Sequence, residues 1–206
     1  MYGDIAMNKK YNLQQAYISV EGNIGSGKST FLKKIAQSLR FPVVFEPHQA
    51  WQDVNGYNIL DAFYKDMKRW AYSFQTYVFL TRVKAMEEAM EKSFNENIFI
   101  SERCVIGDRY TFALLGYEMG MINDLEWNLY CSWYEWLTTK YVYSPAGHIY
   151  LKVDPQVAYE RINKRKRDEE KQVSLSYITC LHEKHDDWLI AKKNIANNLI
   201  TVPVLT

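Results

Sequence analysis

The 206-residue sequence has no run of eighteen apolar residues, so no segment of it reads as a membrane-spanning helix. Its first fifteen residues lack the apolar stretch of a secretion signal, and their basic residues are lysines alongside Asp4 rather than the arginines of a transit sequence. Cysteine is scarce: Cys104, Cys131 and Cys180 are odd in number and show neither C-x-x-C nor Cys/His ligand spacing. That argues against disulfides and zinc and for thiols in a reducing compartment. An excess of one charge is also missing, since 25 Lys plus Arg face 24 Asp plus Glu. No global field draws the chain toward nucleic acid or an anionic membrane, so its charges act locally. Repeats, low-complexity tracts and linkers are absent too. A single domain over residues 1–206 is expected, cytoplasmic, with residues 1–15 flexible; 48% hydrophobic content is enough for one core.

What is present starts with an apolar strand from Ala16, a loop of pattern G-x-x-x-x-G-K-S and the opening of an amphipathic helix (Phe31, Leu32, Ile35, Leu39). Gly22, Gly25 and Gly27 let the backbone curl so that successive N–H groups around Asn23, Ile24, Ser26 and Thr30 face phosphate oxygens. Lys28 would reach the outer phosphates and Ser29 would offer its hydroxyl to magnesium. A chance match in a glycine turn is the alternative, but the flanking strand and helix supply the context the motif needs. A nucleoside triphosphate is therefore the expected ligand.

Apolar runs of four to six residues alternate with longer helical patterns. The helix after the loop should end near Arg40, because Pro42 disfavours helix in the residue before it. Strands are expected at 43–45, 98–100, 148–153 and 199–205. Helices are expected as two patterns within 58–94 broken around 65–70, then over 110–119, 125–141, from Pro155 into a basic stretch at 161–171, and over 174–195; residues 48–57 read as turn. This alternation implies an α/β fold, a five-stranded parallel sheet with helices on both faces. Ligands of such sheets sit at the carboxyl ends of the strands, which would gather the loop, Glu46, Glu102 and Arg103 at one rim.

Phosphoryl transfer to a hydroxyl needs the nucleophile in line, its proton accepted and charge on the moving group offset. Glu46, stiffened by Pro47, can accept a proton, or it can be a capping or solvated carboxylate. Glu102 can hold magnesium opposite Ser29, and Arg103 can bridge acceptor and phosphate, unless the two are a surface ion pair. The run Arg161 to Glu170 is basic and then abruptly acidic. It reads as a lid whose Arg165 and Arg167 close over the triphosphate, or as a solvated helix face or nucleic-acid patch. Gln75, Val78 and Arg82 share one helical face, where an amide among aromatics suits a nucleobase edge or is simply satisfied by backbone at a helix crossing. Asp108 can partner Arg82; Trp51, Phe63, Tyr64 and Phe112 are pocket walls or core.

Taken together, Gly22–Thr30, Glu46-Pro47 with Trp51, the segment Phe74 to Tyr77, Glu102-Arg103 with Asp108-Arg109-Tyr110, and the Arg161–Glu170 segment resemble the deoxyribonucleoside kinase family over nearly the whole chain. The resemblance implies transfer of a phosphoryl group from ATP, or another triphosphate, with Mg2+ to a deoxynucleoside 5′-hydroxyl, in a homodimer. It implies Glu46 as general base, Glu102 as magnesium ligand and Arg103 at the phosphate and 5′-oxygen. Gln75 would bond the base with Phe112 stacked on it, and Tyr64 with Glu170 would hold the 3′-hydroxyl. Arg165 and Arg167 would be lid arginines, with Arg161 beside the donor adenine. Arg82 with Asp108 resembles the deoxycytidine and deoxyguanosine branch, so deoxycytidine and purine deoxynucleosides are expected. Thymidine-preferring or multisubstrate kinases, a monophosphate kinase and a catalytically silent relative are the alternatives. Val78 stands where deoxycytidine kinases carry a smaller residue, Cys104 replaces a serine, and Lys166 replaces a lid glycine. The family continues past its fifth strand into a donor-base loop and a final helix, whereas this chain stops at Thr206, which reads as a truncated piece or a natural short form.

Overall fold

The computed structural model describes residues 16–92, 98–142, 144–191 and 199–203. Five strands, β1 (Ala16–Glu21), β2 (Val43–Val44), β3 (Ile98–Glu102), β4 (Gly147–Lys152) and β5 (Leu199–Pro203), form one parallel sheet in the order β2-β3-β1-β4-β5. The expected strands are all present within the described residues; residues 204 and 205 lie outside them. β2 is shorter than its apolar run, because Phe45 turns out of the sheet and is exposed.

Register does what sequence spacing cannot. Ile18 pairs with Ile100 and Ile100 with Val43, so the carboxyl ends of β1, β3 and β2 lie side by side. The phosphate loop, Glu102-Arg103 and Glu46 therefore leave the same rim. β4, on the other side of β1, leads into α8 (Pro155–Arg165) and brings the lid over that rim. α1 (Lys28–Leu39) is held against the sheet by Leu32, fully buried with Val20, Ile100 and Leu151. Truncating Leu32 to Ala would cost about 2–5 kcal/mol and loosen the loop at the helix start.

The helices follow the 3.6-residue periodicity with three local departures. α2 (His48–Gln52) occupies half of the segment expected as turn, and Val54 and Tyr57 bridge across the rest. α3 (Ile59–Lys65), capped by the Asn58 side chain on Asp61 N–H, gives way to α4 (Met67–Lys92) at the single residue Asp66. The third departure starts earlier than expected: α5 (Val105–Asp108), a π-helical stretch at Arg109–Ala113 and α6 (Leu114–Glu118) run on as one widened helix. π turns relieve a helix of strict register and often sit at functional sites; here the wide turn carries Phe112. α7 (Asp124–Lys140) opens with a capping box between Asn123 and Glu126. α8 ends at Lys166, whose φ of 53° is left-handed, and a 3₁₀ turn (Asp168–Gln172) leads to α9 (Leu175–Leu189). The left-handed Lys166 explains in backbone terms why a glycine suits that place. The expected end of the last helix at 195 falls among residues outside the description. The largest core cluster spans Trp51, Phe63, Phe74, Leu115, Ile162, Ile178 and Leu181, and one of its walls is left open as a cavity.

Candidate active site

The phosphate loop closes tightly around its own backbone. A Cβ on Gly25, at φ 79°, would stand 2.3 Å from the Ala158 carbonyl oxygen of α8, so only glycine fits between loop and lid helix. Asn23 anchors the loop from the other side, its amide donating to the Ile178 carbonyl at 2.8 Å. Lys28 is buried and its Nζ donates to the carbonyls of Gly22 and Asn23, at 3.0 and 2.9 Å. Burial, reinforced by Arg103, lowers its pKa to about 7, although Glu46, Glu102 and Glu21 pull the other way. Its only hydrogen-bond partners among the described residues are oxygens of the loop itself.

Beside it Ser29 Oγ donates to Glu102 Oε1 at 2.7 Å. A hydroxyl and a carboxylate oxygen are hard donors suited to Mg2+, and their closeness lets one ion engage both. These residues fit a magnesium ion.

Glu46 lines the same cavity as the loop. Its carboxylate is gripped by Arg103 Nη1, 2.8 Å from both oxygens, and by Arg82 Nη2, 2.8 Å from Oε1. Burial pushes the acid up, but Arg103 and Arg82, with a bond from His48, overcome it and hold Glu46 well below the ordinary carboxylate range. It is therefore neither a helix cap nor a solvated carboxylate. Arg82 also binds both oxygens of Asp108 and donates to the Glu102 carbonyl at 3.1 Å, so it remains charged. Arg103 reaches back to the Gly22 carbonyl at 2.9 Å and lies 4.8 Å over the Phe112 ring, from a backbone φ of 62°. A non-glycine residue held left-handed at a strand end signals a position kept for its side chain.

These groups face a cavity of about 290 Å³. Trp51, Tyr64, Phe74, Val78 and Phe112 form apolar walls, and Ile24, Gly25, Gly27, Lys28, Ser29 and Thr30 form the phosphate end. Gln75 faces it with an Oε1 that is buried and has no partner among the described residues. An amide left unsatisfied costs about 1–3 kcal/mol, which a ligand donor would recover. It is not satisfied by backbone at a helix crossing. Trp51 is fixed by its indole N–H on Thr81 Oγ1 at 2.9 Å.

The Arg161–Glu170 segment borders the cavity. Glu170 is buried, held by Arg165 at 2.6 and 2.7 Å and approached by Arg167 at 3.5 Å. Both arginines line the cavity, while residues 163 to 166 of the basic stretch stay exposed. Two expected residues stand elsewhere. Phe63 is buried behind the wall, stacked on Phe74 at 4.7 Å, and is core rather than pocket surface; Arg161 is not among the cavity residues. Gly22, Asn23 and Ser26 shape the loop and receive Lys28 without lining the cavity.

The sequence reading passed over His48. Its Nε2 lies 3.4 Å from Glu46 Oε2, and its ring meets Trp51 edge-on at 4.9 Å. An imidazole two residues past a strand-end carboxylate was the available signal; placing 48–57 in a turn hid that both face one cavity.

A family model described as deoxynucleoside kinase matches residues 18–206. A probable deoxycytidine kinase of fowlpox virus is 42% identical over 84% of this chain and 71% of its own. A mitochondrial deoxyguanosine kinase of Xenopus laevis is 34% identical over 98% and 83%, and a human deoxycytidine kinase 35% identical over 92% and 82%.

Proposed function

Because the chain belongs to the deoxynucleoside kinase family, we propose that it transfers the γ-phosphoryl group of ATP to the 5′-hydroxyl of deoxycytidine and purine deoxynucleosides in nucleotide salvage. The observation that carries the substrate choice is Arg82, whose guanidinium joins Asp108 to Glu46 and so links the base end of the cavity to the site of chemistry. A paired guanidinium and carboxylate beside Gln75 match a base edge that carries both an amino donor and ring acceptors. Buried Val78 narrows the cavity and favours the smaller pyrimidine within that set.

In this reading Glu46 accepts the hydroxyl proton, while Arg103 holds the acceptor oxygen against the phosphate. Lys28, Arg165 and Arg167 offset charge on the moving group. Tyr64 and Glu170 hold the sugar 3′-hydroxyl once Arg165 swings from Glu170 to the phosphates. Mg2+ held by Ser29 and Glu102 would neutralise phosphate charge when bound. The acceptor end carries carboxylates and an amide, with its arginines already paired, which disfavours a monophosphate acceptor. Retention of Lys28, Glu102-Arg103 and the lid arginines disfavours a silent relative.

We also infer a homodimer. Tyr72, Leu80, Trp133 and Leu137 line an apolar groove between α4 and α7, with Leu129 and Trp136 exposed beside it, and such a surface is costly to leave wet. Among the described residues no helix is long and apolar enough to cross a membrane, and Cys104, Cys131 and Cys180 are free thiols; both suit the cytoplasm.

A panel of the four deoxynucleosides, their monophosphates and thymidine analogues, read as kcat/KM with Mg-ATP and other triphosphates, tests the proposal. Deoxycytidine should lead. Turnover of monophosphates alone would overturn it, and a thymidine maximum would overturn the base assignment.

A further inference from the structure

Glu46 is a good acceptor for a proton in transit and a poor place to leave one. Two buried guanidiniums hold its carboxylate at 2.8 Å and depress its basicity, and its side chain is only 5% exposed. After each transfer the proton must go elsewhere. His48, on the first turn of α2, is the neighbour able to take it: its Nε2 is 3.4 Å from Glu46 Oε2, and its side chain is 31% exposed. It lines the same cavity, and Trp51 holds its ring edge-on. Its Nδ1 is buried and has no partner among the described residues, so Glu46 is the one group recorded at its ring nitrogens there.

We propose that His48 relays to solvent the proton that Glu46 takes from the acceptor hydroxyl. The relay rests on the reading of Glu46 as base. The acceptor oxygen forms its bond to the γ-phosphorus as the bond to the donor's bridging oxygen breaks, and that oxygen leaves with the electron pair. The hydroxyl proton passes to a Glu46 oxygen, then from Oε2 to the lone pair of His48 Nε2. The imidazolium gives that same Nε2 proton to water entering the cavity and returns to the neutral Nδ1–H form, its Nε2 lone pair free again. When His48 is already protonated it cannot accept, and it also bonds Glu46 as a fixed donor, so turnover falls on the acid side. The charged groups around the imidazole are Glu46 at its edge, and Arg82 of α4 and Arg103 after β3 across that carboxylate. Asp108 and Glu102 lie behind the arginines. Lys28 and Lys33 of α1, with Arg165, Arg167 and Glu170 of the lid, complete the cavity walls.

A structural pin on Glu46 would need only a hydrogen-bond donor, which His48→Gln preserves; a relay needs a group that accepts and releases. Single-turnover rates of phosphoryl transfer to deoxycytidine from Mg-ATP should be followed from pH 5 to 8. The wild type should show a one-proton acid limb within that range. His48→Gln should lose that limb and run about tenfold slower at pH 7.5, with KM for the nucleoside unchanged. Superimposable profiles, or a change in KM alone, overturn the relay. Glu46→Gln separates the two readings: undiminished turnover there removes the base itself, whereas an inactive Glu46→Gln beside an unaltered His48→Gln removes only the relay. If His48→Gln does not fold, NMR titration of the His48 ring decides. The titration curves of the ring in wild type and Glu46→Gln should differ, and identical curves overturn the proposal.

Discussion

Arg103 grips the Glu46 carboxylate with one nitrogen, Nη1, 2.8 Å from each oxygen, and does so from a left-handed backbone at φ 62°. Its other nitrogen, Nη2, holds the Gly22 carbonyl of the phosphate loop. One side chain thus joins the Glu46 carboxylate to the phosphate loop, from a left-handed position just past the end of β3.

Glu46→Gln should lower kcat by about 100-fold or more while changing nucleoside affinity by no more than a few fold, measured by turnover and calorimetry. The variant also leaves Arg103 without its buried countercharge, so a fall in melting temperature is expected. The folded-state pKa of Glu46 is depressed, so its stabilisation is fully present above the unfolded carboxylate pKa of about 4.3 and is lost as pH falls through the lower folded value. Wild type and Glu46→Gln should converge in stability toward acid pH; parallel curves would show that the carboxylate does not stabilise the fold.

Gln75→Leu removes an unpartnered amide oxygen from an apolar wall. The free protein should keep its melting temperature or gain slightly, while kcat/KM falls about 10- to 100-fold, the equivalent of about 1–3 kcal/mol. A loss of stability with activity intact would identify Gln75 as core.

Arg82→Met with Asp108→Ala should shift the kcat/KM ranking toward thymidine, because the pair facing an amino-bearing base is gone. The two changes are made together, since either alone strands a buried charge. An unchanged ranking would remove both from base selection.

Lys28→Met should abolish turnover yet stabilise the protein without nucleotide. The folded-state pKa of Lys28 is lowered to about 7, so burying its charge penalises the fold fully below that pH. The penalty fades as pH rises from about 7 toward the unfolded value of about 10.4, a window in which wild-type stability should climb. Thermal melts of Lys28→Met should not show that climb. A wild-type curve that is flat over the same window would refute the assignment.

Much of the site was legible before any coordinates. The spacing G-x-x-x-x-G-K-S between strand and helix fixes a phosphate loop, because only glycines at close backbone approaches let N–H groups converge. Apolar runs alternating with helical periodicity fix a parallel sheet, because such strands are buried on both faces. Glu46 and Glu102-Arg103 were recognisable as polar residues closing apolar runs.

The tertiary structure decided what depends on contacts between distant residues. The order β2-β3-β1-β4-β5 comes from pairing between strands as far apart in sequence as Ile18 and Gly147, and it alone places Glu46 beside Arg103. Which aromatic is wall and which is core depends on packing from other elements: Phe63 and Phe74 have equal hydrophobicity signals, yet Phe63 stacks behind Phe74 and only Phe74 meets the cavity. Arg82 is shared by two carboxylates because α4, α5 and the loop after β2 converge there. A sequence lists the charges, but the low-dielectric enclosure that makes them act on one another exists only after folding.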